Sequence, residues 1–170
     1  MPTLISFSGL PGVGKTTIAR ALAAEIDAFY LRIDSIENAL KNSTLAIHPA
    51  ADAGYRAVAA IAKDNLALRK DVIADTVNPI AITRQWLAEA ATSTGARLLD
   101  IEVICSDTAE HRRRIETRRS DLDGHTLHDW QRVQERQYDA WTTPRLTLDT
   151  AKLSATDCVK NIIAALNSGA

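Results

Sequence analysis

The run Gly9-Leu10-Pro11-Gly12-Val13-Gly14-Lys15-Thr16-Thr17 fits the pattern G-x-x-x-x-G-K-[ST], and it constrains the fold more than any other stretch of the chain. Such a loop works only between a buried strand and the start of a helix, because its backbone N–H groups and the helix's positive end must converge on one anion. Both flanks comply. Residues 3–8 are β-prone and mostly apolar, and Ile18, Leu22 and Ile26 recur at helical spacing from about Lys15 onward. The pattern reads as ATP or GTP binding. Gly9, Gly12 and Gly14 let the main chain curl without a Cβ in the way, and Val13 and Thr17 complete the cradle with their amides. Lys15 is placed to reach the β- and γ-phosphates, and the Thr16 hydroxyl to ligate Mg²⁺.

Five strand-like runs alternate with helical patterns. The strands are expected at 3–8, 29–33, 72–74, 97–105 and 145–148, and the helices at about 16–26, 52–68, 80–94, 108–119, 126–138 and 154–166. Strands separated by crossover helices imply an α/β fold with a mostly parallel sheet covered on both faces. Gly95 reads as a helix terminator, and Asp107 with Glu110 and Thr126 with Asp129 read as capping arrangements. A length of 170 residues suits a single domain, spanning 1–170, with a core large enough to do without metals or disulfides. Its polar segment 119–126 is the candidate mobile lid.

The formal net charge of −1 gives no global attraction to nucleic acid or anionic membrane, so neither is an expected partner. Cys105 and Cys158 lack disulfide or zinc spacing. With no signal segment and no run of about 18 apolar residues, the cytoplasm is the expected compartment. The four histidines are not paired at a metal-ligand spacing, and most of them read as surface residues. Trp86, Trp130 and Trp141 read as packing residues, the latter two also placed to line a substrate pocket beside the lid.

Ligands of open α/β sheets bind beyond the carboxyl ends of the strands, so residues there are the candidates for chemistry. Asp34 follows the second strand, where its carboxylate can orient a hydroxyl and take its proton. The same Asp34, with Glu37 three residues on, also reads as a helix N-cap. Asp75 ends the third strand and is open to two readings, support for Mg²⁺ or a substrate or turn contact. Arginines crowd 112–119. On a helix Arg114 and Arg118 lie about 40° apart on one face, and Arg112 and Arg119 about 20° apart on another. One pair is therefore expected at the nucleotide, and the other solvated or paired with Glu110 or Glu116. The loop at Asp149-Thr150 is placed to meet an adenine edge.

Loop, Asp34, Asp75, paired arginines and Asp149-Thr150 in this order make the chain resemble the small P-loop kinases. These include shikimate, gluconate, adenylate and adenylylsulfate kinases, and the chain is most similar to the chloramphenicol phosphotransferase and zeta-toxin-like branch. The resemblance implies a three-layer P-loop NTPase fold whose five-stranded parallel sheet has the order 2-3-1-4-5, with a small lid. It implies that Arg114 and Arg118 are the R-x-x-x-R pair that stacks on adenine and contacts phosphate where the lid begins. It places Asp34 at the general-base position. Several relatives carry an arginine shortly after that Asp, where this chain has Glu37 and Asn38, so a grip on an anionic acceptor from that segment is not implied. The expected activity is ATP- and Mg²⁺-dependent transfer of the γ-phosphoryl group to a hydroxyl of a small molecule, with Lys15, Asp34 and Arg118 as the catalytic residues. Acceptor contacts are expected from 41–55 and 78–86. A P-loop ATPase or switch acting on a protein partner, and a nucleic-acid 5′-hydroxyl kinase, are the alternatives.

Overall fold

The computed structural model describes residues 1–123 and 127–168. Along the chain run β1 (Thr3–Ser8), α1 (Lys15–Glu25), β2 (Ala28–Arg32), α2 (Ile33–Lys41), α3 (Ala53–Ala67), β3 (Asp71–Asp75), α4 (Ala81–Ser93), β4 (Arg97–Ile104), α5 (Thr108–Thr117), α6 (Trp130–Gln134), β5 (Leu146–Asp149) and α7 (Ala155–Asn167). The sheet has the order β2-β3-β1-β4-β5, and every neighbouring pair is parallel. Among the described residues no helix is long and apolar enough to cross a membrane.

Strand periodicity divides the core into two layers. Along β1, Ile5 and Phe7 point to one side and join Ile18 and Leu22 of α1 and Val159 and Ile162 of α7. Leu4 points to the other side and joins Val58, Ala62 and Leu66 of α3 and Leu87 of α4. All six residues of β1 are buried, as a central parallel strand requires. The sheet reverses direction of growth at β1, whose neighbours are β3 and β4, and the crevice for a ligand opens at their carboxyl ends.

Helix boundaries follow local chemistry. Gly95, at φ +66°, ends α4 in a Schellman arrangement: Ala96 N–H donates to the Ala91 carbonyl at 3.0 Å and Gly95 N–H to Thr92 at 3.1 Å. Asp107 caps α5 by accepting from Glu110 N, and Ser154 caps α7 by accepting from Asp157 N.

Three expectations need correction. Helix α2 was not anticipated as an element, and Arg32, not Asp34, is its N-cap; Asp34 lies within the first turn. The helix predicted over 126–138 is only the short α6, capped by Asp129, which accepts from Arg132 N. Thr126 lies outside the described residues. Tertiary hydrogen bonds replace helical ones just beyond: Arg84 donates to the carbonyls of Pro79 at 3.2 Å and Asp139 at 2.8 Å, and Asp139 N–H donates to Pro79 at 2.7 Å. Helix α5 stops at Thr117, and Arg118 is extended, so Arg119 has no helical face.

Candidate active site

The loop between β1 and α1 forms one wall of a cavity of about 780 Å³. Its shape depends on close packing. A Cβ on Gly9, at φ +136°, would stand 2.2 Å from the Val103 carbonyl oxygen of β4. One on Gly12, at φ +82°, would stand 2.5 Å from Ile115 Cδ1 of α5. These two glycines therefore seat the loop against its neighbours, a role distinct from the phosphate clearance expected of them.

Gly14 is the N-cap residue of α1, and no side chain caps the helix or places an acid in its first turn. Its leading N–H groups and positive dipole end are thus left for an anion. Lys15 points into the same space. It is buried, and its Nζ donates to the Leu10 carbonyl at 2.9 Å. Burial lowers its pKa to about 8; the Asp75 and Asp34 carboxylates pull it up, while Arg136 and Arg118 push it down. Thr16 lines the cavity one residue on.

Asp75, at the end of β3, is 3% exposed and lies on the cavity wall, with Oδ2 accepting from the Tyr30 hydroxyl at 2.8 Å. Burial first, and then the Asp75 charge and hydrogen bond, raise the Tyr30 pKa, so the phenol stays protonated and can only donate to the carboxylate. A hydroxyl oxygen and a carboxylate beside an uncapped helix start form a hard-oxygen donor set that fits Mg²⁺ on a nucleotide. Asp34 lies opposite, 3.6 Å from Arg32. One helical turn later Glu37 faces the cavity too, its pKa raised to about 7 by burial and by the Asp34 charge against an opposing pull from Arg136.

Arg114 and Arg118 both line the cavity, Arg114 from α5 and Arg118 from the extended residue just after it. Arg114 is largely occupied, donating to Glu110 at 2.8 Å, the Thr150 hydroxyl at 2.9 Å and the Thr150 carbonyl at 3.1 Å. Since the Thr150 hydroxyl also lies 2.9 Å from the Val13 carbonyl, Arg114 ties the loop after β5 to the phosphate loop. Arg118 donates to the His128 carbonyl at 3.2 Å, and its buried Nε has no partner among the described residues. Of the other pair, Arg112 bonds Glu116 at 2.7 Å, but Arg119 lines the cavity, because the helix ends before it.

Several site residues went unread in the sequence. Arg136, Glu37, Arg32 and Arg20 all line the cavity. Tyr30 and Arg32 share one face of β2, a period-two signal available in the sequence, and Glu37 follows Asp34 at i+3. Arg136 carries no such signal, because it lies beyond the end of α6. His111 is buried, contrary to the surface reading: its Nε2–H donates to the Pro11 carbonyl at 2.8 Å and its ring packs edge-on to Trp130. Trp130 and Trp141 do not serve as cavity walls; Trp141 lies under Arg84 at 4.1 Å and Arg145 at 5.6 Å. Of the expected acceptor segments, Tyr55 contributes from the first, with Thr76 and Val77 just before the second. Within the expected lid, Asp121 bonds Arg20 and Arg32, and Asn38 donates to the Asp123 carbonyl at 3.1 Å; residues 124–126 lie outside the described residues.

A family described as an AAA domain matches residues 4–142. Similar solved structures include a kinase candidate from Chloroflexus aurantiacus J-10-fl, at 20% identity and TM-score 0.76, covering 99% of this chain and 98% of that one. A gluconokinase from Sinorhizobium meliloti 1021 aligns at 20% identity and TM-score 0.69, covering 98% and 93%. The Mycobacterium tuberculosis APS kinase CysC, in complex with AMPPNP and APS, aligns at 18% identity and TM-score 0.67, covering 98% of each chain. At these identities the likeness is one of fold. No curated protein sequence matches the chain significantly.

Proposed function

Since the chain belongs to the AAA domain family and has the fold of the small P-loop kinases, we propose that it is a kinase that transfers the γ-phosphoryl group of ATP to a hydroxyl of a small molecule. The observation that carries this reading is convergence. Lys15 with the uncapped start of α1, Asp75, Asp34 and Arg118 come from four separate segments and meet around one cavity.

In the proposed reaction the loop amides and Lys15 hold the β- and γ-phosphates. Thr16, with Asp75 as the supporting carboxylate, would hold Mg²⁺, which would supply positive charge to offset that of the phosphates. Asp34 accepts the proton of the acceptor hydroxyl as its oxygen bonds to the γ-phosphorus and the bond to the bridging oxygen of ADP breaks. Arg118, whose Nε has no partner among the described residues, balances charge on the transferring group. Arg114 holds the wall of the nucleotide site through Thr150. Segment 119–126 acts as a lid over the acceptor and excludes water. Two carboxylates, Asp34 and Glu37, and two arginines, Arg118 and Arg136, line the same cavity and suit an acceptor of mixed polarity.

An ADP-release screen across sugars, nucleosides, antibiotics and cofactor precursors tests the assignment. One class is expected to stimulate ADP formation stoichiometrically with phosphorylated product. Asp34→Asn should keep Mg·ATP affinity within about threefold and lose transfer by about 10²- to 10³-fold. Near-normal transfer by Asp34→Asn removes that residue from its role, and slow hydrolysis indifferent to every acceptor removes the kinase reading.

A further inference from the structure

Tyr30 lies between the two ends of the site. Its hydroxyl donates to Asp75 at 2.8 Å, and the charges of Arg20 and Arg32 act on the same hydroxyl. Arg20 and Arg32 are in turn held by one carboxylate: Asp121 accepts from Arg20 Nη2 at 2.6 Å and from Arg32 Nη1 and Nη2 at 2.8 and 3.0 Å. Asp121 lines the cavity from the stretch after α5, whereas Arg20 lies on α1 five residues after Lys15 and Arg32 ends β2 in register with Asp75.

These contacts define a competition for arginine. With Asp121 in place, two cations are neutralised by a carboxylate that has no part in the chemistry. Without it, the nearest acceptors for them are the Tyr30 oxygen, Asp34, already 3.6 Å from Arg32, and Asp75 across the β2–β3 register. A bidentate arginine bond is strong enough to redirect a carboxylate from another ligand. We propose that Tyr30 is a positioning residue for Asp75, and that Asp121, by taking up the hydrogen bonds of Arg20 and Arg32, limits their competition for Tyr30 and the site carboxylates. This rests on the reading of Asp75 as the carboxylate that supports magnesium.

The test is the magnesium contribution to nucleotide affinity, measured as the ratio of Kd for ATP in chelator to Kd for Mg·ATP, by calorimetry without any acceptor. Tyr30→Phe and Asp121→Asn are each expected to lower that ratio about three- to tenfold. The double variant should lose no more than the larger single loss, and Asp121→Glu should restore most of it. Arg20→Met, at an exposed position, gives a second route to the same interaction. Asp75→Asn separates the two levels of inference. If it leaves the ratio unchanged, the reading of Asp75 fails. If it collapses the ratio while Tyr30→Phe and Asp121→Asn do not, the positioning role is overturned. Equal weakening of both affinities by Tyr30→Phe, with a lower Tm, marks a merely structural tyrosine and overturns it as well.

Discussion

Lys15 concentrates the electrostatics of the site in one group. Its pKa of about 8, set mainly by burial, leaves the ammonium largely charged at neutral pH but easily lost above it. A bound triphosphate raises that pKa, so nucleotide binding must take up a proton wherever the free site has lost one. The sign follows directly: affinity is insensitive to this group well below pH 8 and falls as pH rises through and beyond it. Calorimetry in two buffers of different ionisation enthalpy is expected to give roughly 0.8 proton taken up at pH 8.8 and about 0.1 at pH 7. Lys15→Arg should abolish the uptake, since guanidinium keeps its proton throughout. Lys15 was legible because the phosphate-loop pattern names it. Tyr30, Glu37 and Arg136 were not, because their importance comes from which neighbours the sheet and the broken helix bring to them, and local sequence does not encode neighbours far along the chain.

Among elements, the phosphate loop is held by what it touches more than by its own turns. Gly9 presses on the main chain of β4, whose carbonyl cannot yield, while Gly12 presses on the end of the Ile115 side chain, which can rotate. Gly9→Ala is therefore expected to destabilise the protein by roughly 4 kcal/mol or more, seen as a Tm drop of about 8–16 °C, with Gly12→Ala costing clearly less. Equal losses from the two substitutions would place the strain in the positive φ angles alone. Boundaries that carry punctuation, such as Gly95 and Asp107, were readable for a physical reason: a backbone group left without a partner must find one locally. Helix α2 was signalled only by the N-cap reading of Asp34, two residues late, because it follows β2 with no intervening residue and no side chain caps its true start. The second half of the helix expected over 126–138 does not form, and just past it the backbone groups of Asp139 and Ala140 are taken up by Arg84 and Pro79.

At the scale of the whole molecule, the cavity is walled by residues from Pro11 to Ala155, so it exists only when the sheet is assembled in its order with β1 at the centre. Strand and helix alternation made the parallel sheet legible, and the family resemblance supplied its order. A site built from nearly the full length of the chain couples ligand binding to global unfolding. At Mg·ATP about 100 times its Kd the folded state gains about 2.7 kcal/mol, which for 170 residues is a Tm rise of roughly 5–11 °C. The same site lowers stability when empty. Holding Lys15 charged in a buried position, with its pKa down to about 8, costs on the order of 3 kcal/mol at neutral pH. Lys15→Ala is thus expected to leave the Tm of the free protein unchanged or higher while reducing the Mg·ATP shift to under about 2 °C. Differential scanning fluorimetry at pH 7 with and without Mg·ATP measures both quantities. A Lys15→Ala protein that melts well below the parent without nucleotide would mean that this lysine braces the fold instead of straining it.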